Sequence, residues 1–243
     1  MSASRKIAIT VGVLYLAVNI IAGPLGLLFT EPSLNAPDYL VKLSANKNQV
    51  LVGVLFLLVM AVADAGIGIM VYPVLKKRNV NAAIGYFGAR LVESVIFILD
   101  ALSLLLLLTL SQEFVKSGAP DVPYFQTLGT LLLAAHDWAF LLGLTVFSLG
   151  SLILNYILYQ SKLIPRWLSG WGFIGAALTL AASLIPQLGY SLSSSIDTLM
   201  NSPIALQEMV FAVWLIVKGF NSSAIASLSA KTDINEVLMI GLK

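Results

Sequence analysis

The sequence predicts an all-α integral membrane protein, a bundle of about six transmembrane helices with both ends in the cytoplasm. Apolar residues make up 58% of the chain and charged residues 11%, whereas a soluble domain carries roughly a quarter charged residues. Six apolar stretches have, or nearly have, the length of about 20 residues that crosses a bilayer. Lys and Arg collect at one set of their ends, which the positive-inside rule assigns to the cytoplasm.

The six predicted spans follow the apolar runs between polar loops. The fourth is too long for one perpendicular crossing, which predicts a tilted or projecting helix. The sixth is short, and we expect Ser202 to cap it with Pro203 in its first position. Pro73 and Pro186 fall at span ends, where a missing N–H is tolerated. The predicted spans are Ile7–Phe29, Gln49–Tyr72, Ala82–Leu110, Phe125–Tyr159, Trp167–Ile185 and Ile204–Phe220.

The first stretch could also be a signal peptide, because Arg5 and Lys6 precede it. It is longer than the apolar region of a typical signal peptide, about 7–15 residues. Gly23-Pro24 lies inside the stretch, where no clear cleavage site follows. We therefore favour a retained span and keep the signal peptide as the alternative.

Basic residues also set the predicted orientation and domain boundaries. We expect residues 1–220 to form the six-helix transmembrane domain and residues 221–243 a mobile cytoplasmic tail, with room for a short helix. The protein is accordingly predicted to be a multi-pass protein of the cytoplasmic membrane. The basic residues on the predicted cytoplasmic side are Arg5, Lys6, Lys76, Lys77, Arg78, Lys162, Arg166 and Lys218.

Several ionisable side chains lie inside the predicted spans. Each would cost about 3 kcal/mol at the bilayer centre on insertion scales. We therefore expect them to face one another or a water-filled cavity, and we predict that they line a ligand-binding pocket. The members of this set are Asp64, Arg90, Glu93, Asp100, His136, Asp137 and Glu208.

Spacing along the third predicted span supports such a meeting point. Arg90 and Glu93 are three residues apart, so they can pair on one helix face. Asp100 follows Glu93 by seven residues, two helical turns along nearly the same line. His136 and Asp137 are adjacent and diverge by about 100°, so only one of them can point squarely at a shared centre.

The set holds one guanidinium and five carboxyl groups, which cannot all be ionised in a dry interior. Asp64 has no cation near it in the sequence, so we expect it to be the neutral member. We predict a polar cavity open to the outside, with Arg90 and Glu93 at its floor. The carboxyl groups expected in the outer half of the membrane are Asp100, Asp137 and Glu208.

Other kinds of site lack the residues they need. The chain has no cysteine and one histidine, which excludes disulfides, thiolate sites and bis-histidine haem. It has no phosphate-binding loop motif, and nothing selects a catalytic nucleophile, so the catalytic residues stay unassigned. We expect no cofactor and no metal, although a carboxylate site with His136 stays conceivable. The net charge of +2 does not favour nucleic acid, so the expected partners are the lipid bilayer and a small polar or lipid ligand.

The chain resembles the bacterial membrane proteins grouped as "domain of unknown function 4386", over roughly Arg5 to Asn221. The resemblance implies a multi-span membrane fold and no established reaction or ligand. Residues beyond Asn221 extend past the pattern of that family. The segments that carry the resemblance are Arg5-Lys6, Gly12–Leu16, Tyr72–Lys77, Ala89–Glu93, Ile164–Gly172, Pro203–Met209 and Trp214–Phe220.

Three functional hypotheses stay open on the sequence. The leading one is a protein that binds a small polar or cationic ligand, or conducts ions or protons, through the predicted cavity. The second is an intramembrane enzyme acting on a lipid or isoprenoid, with Glu93 or Asp64 as acid or base beside His136. The third is a structural or partner-binding subunit, in which Arg90–Glu93 is only a structural ion pair.

Overall fold

The protein is a bundle of membrane-length helices. The computed structural model describes residues 2–118 and 122–230, and within these ranges every regular element is a helix. Six helical segments there are long and apolar enough to cross a membrane, with mean hydropathy from 1.4 to 2.6. This confirms the all-α multi-span class, and the orientation stays a prediction. The elements are α1 (Ala3–Leu16), a π-helical segment (Ala17–Ala22), α2 (Gly23–Leu34), α3 (Tyr39–Ala45), α4 (Lys47–Leu75), α5 (Val80–Lys116), α6 (Val122–Ser161), α7 (Arg166–Gln187) and α8 (Ser194–Val217).

The first span is one continuous helix, Ala3–Leu34, with a widened turn at its centre. Pro24 lacks an N–H, and its ring crowds the carbonyl four residues back. The preceding turn relaxes into the π-helical segment, and the Gly23 N–H bonds the Val18 carbonyl five residues back. Such a bulge re-aims side chains relative to a regular helix.

The last span starts earlier than predicted. Ser193, rather than Ser202, caps α8, and its hydroxyl accepts from the Ile196 N–H. Pro203 therefore lies inside the helix and leaves the Leu199 carbonyl without its usual donor. The Ser202 hydroxyl donates to that carbonyl at 3.4 Å, which is how helices in lipid tolerate an internal proline.

The helices close into a ring. Each of α4 to α8 packs on its neighbour in the chain, and α1 completes the ring between α8 and α4. Two apolar cores fill the two ends, one around Tyr86 and Leu215 and one around Leu57 and Leu104. Between these cores α4 and α5 bury polar residues instead, so the bundle has a polar layer at mid-depth.

The first part of the predicted tail packs on the bundle. Residues 222–230 are helical, and the buried Leu228 side chain belongs to the apolar core at that end. The Asn221 N–H bonds the Leu163 carbonyl at 2.8 Å, and Lys77 Nζ donates to Ser229 Oγ at 3.0 Å. Residues 222–230 thus form the short helix for which the predicted tail left room, and this helix packs on the folded bundle. The remainder, 231–243, lies outside the described residues.

Candidate functional site

Arg90 is the centre of a buried ion cluster. Its Nη1 donates to both carboxylate oxygens of Glu93 at 3.1 and 3.0 Å, as their spacing predicts. Its Nη2 contacts Asp64 Oδ1 across the interface with α4, and its Nε donates to the Asp64 carbonyl at 3.4 Å. All three side chains are about 2% exposed. We call Asp64, Arg90 and Glu93 the guanidinium cluster.

The pairing corrects one expectation about Asp64. The sequence shows no cation near this residue, but the fold brings the Arg90 guanidinium into contact with it. The expectation of a neutral Asp64 assumed that no cation lies near it, and this assumption is wrong. The Tyr15 and Phe147 rings lie 6.0 and 5.8 Å from the guanidinium carbon, so cation–π attraction adds to the two carboxylates. The cluster thus satisfies Arg90 on several sides.

Glu208 joins this layer from α8. Its Oε2 accepts a hydrogen bond from Asn19 Nδ2 at 3.1 Å, and the same amide donates to the Tyr15 carbonyl at 3.1 Å. Asn19 lies in the π-helical segment, whose widened turn places the amide there. No cation of the described chain forms an ion pair with Glu208, although its side chain is buried. It is therefore a carboxyl group with a neutral partner.

The depth of Glu208 differs from the prediction. It lies nine residues before the end of α8, and Arg90 lies ten residues after the start of α5. Both are roughly 14–15 Å from the same end of the bundle, at 1.5 Å per residue. Glu208 therefore lies level with Arg90 instead of nearer the opposite end of the bundle, because α8 begins at Ser194 instead of Ile204.

A cavity of about 340 Å³ lies beside the guanidinium cluster, and we call it the central cavity. Residues from all six spans line it, including Asp64, Arg90, Glu93 and Glu208. It extends along α8 as far as Asp197, an exposed residue in the first turn. Two buried oxygens on its lining, Thr179 Oγ1 and Asn201 Oδ1, have no hydrogen-bond partner within the described part of the chain.

His136 forms a second cluster towards the other end of the bundle. Its Nδ1 contacts Asp100 Oδ1, and its Nε2 lies 4.0 Å from Glu31 Oε1. We call Glu31, Asp100 and His136 the histidine cluster. Asp137 is exposed whereas His136 is buried, so the two adjacent side chains diverge. A small cavity of about 130 Å³ adjoins them.

The predicted residues therefore line two cavities instead of one. Met60 and Phe140 line both and separate them. Phe97 lies on α5 between Glu93 and Asp100, and its ring centroid is 6.4 Å from that of Phe140. This aromatic pair interrupts the predicted stripe. The central cavity takes Asp64, Arg90, Glu93 and Glu208, and the small cavity takes Asp100, His136 and Asp137.

Sequence reasoning missed several polar residues of these sites. Glu31 lies beyond the predicted first span, which ends at Phe29, whereas α2 continues to Leu34. Gly23-Pro24 in mid-span was the available signal for the bulge that aims Asn19 at Glu208. No comparable signal marked the others. The missed residues are Tyr15, Asn19, Glu31, Thr179 and Asn201.

Neither cluster has the arrangement of a metal centre within the described part of the chain. Over the described ranges, no group of three or more His, Asp or Glu side chains is arranged to hold a metal ion. The side chains of the small cavity include no Ser, Thr or Cys hydroxyl or thiol. Its carboxyl groups and imidazole can transfer protons and form hydrogen bonds.

Comparison with known proteins finds one matching family and one relative. The family model described as "Domain of unknown function (DUF4386)" matches residues 10–219. An uncharacterised protein of Archaeoglobus fulgidus is 27% identical over 111 residues, which cover 44% of this chain and 65% of the archaeal one. The chain thus spans just under two thirds of that relative's length. No solved structure matches the chain.

Proposed function

Because this chain belongs to the DUF4386 family, whose function is unknown, we propose a role from the geometry of its central cavity. The protein binds a small organic cation there, with Glu208 as its counter-ion. One observation carries the proposal. Glu208 presents a buried carboxyl group to the cavity, and its hydrogen-bond partner in the described chain is the neutral Asn19 amide.

The charge balance of the cavity favours a cation. Its lining holds one guanidinium and four carboxyl groups, those of Asp64, Glu93 and Glu208 and, at the exposed end, that of Asp197. Arg90 is engaged by the first two. Glu208 forms no ion pair within the described part of the chain, and a buried carboxylate without a cation in contact with it is costly. A cationic ligand next to Glu208 removes that cost, whereas an anion adds to it.

Size and lining favour an organic cation over a bare metal ion. The volume of about 340 Å³ lies in the range of small-molecule sites, roughly 300–1,000 Å³. Aromatic rings of Phe97, Phe140 and Phe147 face this space, and such faces attract alkylammonium groups. The unpaired oxygens of Thr179 and Asn201 offer acceptors for an N–H donor of the ligand.

Thermal unfolding of the purified protein in detergent tests the proposal. Alkylammonium ions of increasing size, from methylammonium to tetraethylammonium, are added, and at least one is expected to raise Tm by mass action. Glu208→Gln should abolish the rise. The matched control Glu113→Gln removes an exposed carboxyl group at one end of α5 and should retain it. The proposal fails if no ion shifts Tm, or if the Glu208 variant responds like the control.

The histidine cluster supports a second candidate, an intramembrane enzyme acting on a lipid or isoprenoid. Asp100 holds the imidazole through Nδ1, which orients Nε2 towards the small cavity, and an oriented imidazole suits acid–base catalysis. The expected partners were wrong, since His136 contacts Asp100 and Glu31 rather than Glu93 or Asp64. Turnover of a supplied lipid by purified protein, lost in His136→Ala, would favour this candidate over the first.

A further inference from the structure

A pocket of about 620 Å³ opens at the end of the bundle where α6, α7 and α8 meet. It lies between the loop after α6, the start of α7 and the residues after α8. Three exposed cations rim it, Lys162, Arg166 and Lys218. We call it the basic pocket. It shares no lining residue with the central cavity, so its role is independent of the function proposed above.

Hydrogen bonds to backbone carbonyls hold the walls of the basic pocket in place. The Asn221 N–H bonds the Leu163 carbonyl at 2.8 Å, which joins the segment after α8 to the loop before α7. Arg5 caps the end of α8, where Nη1 donates to the Leu215 carbonyl at 3.1 Å and Nη2 to that of Ile216 at 2.6 Å. The pocket is thus built by the fold and does not need a ligand to form.

The loop also adopts an uncommon backbone conformation at one of the three cations. Lys162 has φ of 57°, in the left-handed region that side-chain-bearing residues rarely enter. Lys162 directly follows α6, and its N–H bonds the Leu158 carbonyl at 3.1 Å, which is the usual left-handed cap of a helix C-terminus. The conformation sets Lys162 on the pocket rim beside the start of α7, where the helix dipole is also positive.

The cations of the basic pocket have no carboxylate partner among the described residues. Across residues 2–118 and 122–230, no carboxylate forms an ion pair with Lys162, Arg166 or Lys218. Arg166 has only the Tyr159 ring, 5.1 Å from its guanidinium carbon. Three neighbouring cations without a counter-ion attract an anionic group.

An apolar groove continues from the pocket along α8. Met209, Val210, Val213 and Val217 line it together with Trp214 and Lys218, which also line the basic pocket. We call it the α8 groove. From Met209 to Lys218 it extends roughly 14 Å at 1.5 Å per residue. The shared Trp214 lies at the junction of charge and apolar surface, a position that favours indole rings at membrane interfaces.

We propose that the basic pocket and the α8 groove together bind one anionic phospholipid. The headgroup phosphate lies among Lys162, Arg166 and Lys218, and an acyl chain lies along Val213 and Val217. A soluble phosphate would use the cations alone. The continuity of the two surfaces through Trp214 and Lys218 favours a ligand that is anionic at one end and apolar at the other.

Native mass spectrometry of the full-length protein in a nonionic detergent tests headgroup selection. The protein is titrated with phosphatidylglycerol and, separately, with phosphatidylcholine. We expect phosphatidylglycerol to bind at least about fivefold more tightly, because each nearby basic side chain contributes roughly that factor. Equal binding of the two lipids overturns the proposal.

Variants then locate the site. Lys162→Gln and Lys218→Gln should each lower phosphatidylglycerol affinity about fivefold, whereas Lys47→Gln, an exposed lysine of α4, should not. All three side chains are exposed, so unchanged thermal unfolding confirms that each variant folds. Equal lipid affinity in all three variants and the parent protein places the lipid elsewhere and overturns the assignment.

A third comparison separates a lipid from a free anion. Val213→Asp puts a charge into the α8 groove at a side chain that is 51% exposed, and it should weaken phosphatidylglycerol binding without touching the cations. Millimolar inorganic phosphate should not displace the lipid. If phosphate displaces it and Val213→Asp has no effect, the pocket binds free phosphate and the lipid proposal is wrong.

Discussion

Arg90 and His136 are buried on neighbouring helices, yet their surroundings differ. Arg90 contacts two buried carboxylates, and two aromatic rings flank its guanidinium. His136 contacts one buried carboxylate, Asp100, and lies 4.0 Å from Glu31, whose side chain is 40% exposed. The guanidinium cluster is closed around a permanent charge, whereas the histidine cluster has one side towards solvent and a group whose charge can change.

The two clusters divide the polar layer into a part with a permanent charge and a part whose charge can change. A guanidinium cannot lose its proton in a protein, so the guanidinium cluster must always hold compensating carboxylates. The histidine cluster has no such obligation. We therefore expect the guanidinium cluster to matter more for stability, and the predictions below test that order from the largest effect to the smallest.

Removing Arg90 should have the largest effect. Arg90→Met leaves Asp64 and Glu93 buried without their cation and should lower the free energy of unfolding by about 3–5 kcal/mol. Denaturant-induced unfolding in detergent micelles measures it. Adding Asp64→Asn and Glu93→Gln to the same chain should recover most of the loss, because the unpaired charges are gone. If Arg90→Met alone is as stable as the parent protein, Arg90 does not compensate the charges of Asp64 and Glu93.

Asp100→Asn should have a smaller effect on the same measurement. It removes the buried carboxylate that contacts His136 Nδ1, and a hydrogen bond to a charged group contributes about 2 kcal/mol. Asp137→Asn is the matched control, since Asp137 is next to His136 in the chain but exposed. Losses of equal size in the two variants would contradict the assignment of Asp100 as the partner.

Gly68→Ala tests how closely α4 and α5 approach at the guanidinium cluster. A Cβ at Gly68 would lie 2.9 Å from Arg90 Cβ, so the helices must separate, at a cost of about 1 kcal/mol. Gly88→Ala has open space around its added methyl group and should be neutral or stabilising, because alanine favours a helix. Thermal unfolding of both variants checks this, and a Gly68 variant no less stable than the Gly88 variant would show that the contact is loose.

Glu31→Gln should have the smallest effect, below about 1 kcal/mol, because partly exposed ion pairs contribute little. Its unfolding is compared with that of Glu113→Gln, which removes an exposed carboxylate near Lys116. If Glu31→Gln lowers the free energy of unfolding as much as Asp100→Asn does, Glu31 is as important to the histidine cluster as the buried carboxylate. The two clusters would then differ less than described.

Much of this organisation could be predicted because it depends on the apolar length of a single helix and on the spacing of residues along it. Apolar length predicts the spans, and a spacing of three residues predicts the Arg90–Glu93 pair. Contacts between helices could not be predicted in this way. Asp64 lies 26 residues from Arg90 and Glu208 lies 189 residues from Asn19, so no local pattern links these partners.

The sequence by itself determined that the chain is a membrane-helix bundle, that more of its basic residues lie at one end than at the other, and that its buried ionisable groups need polar partners. Only the tertiary structure decided which groups meet. The rotation and depth of each helix depend on packing at particular contacts, such as Gly68 on Arg90 and Phe97 on Phe140. These contacts divide one predicted pocket into two, because an aromatic pair fills the space between Glu93 and Asp100 that the helical period alone would leave polar.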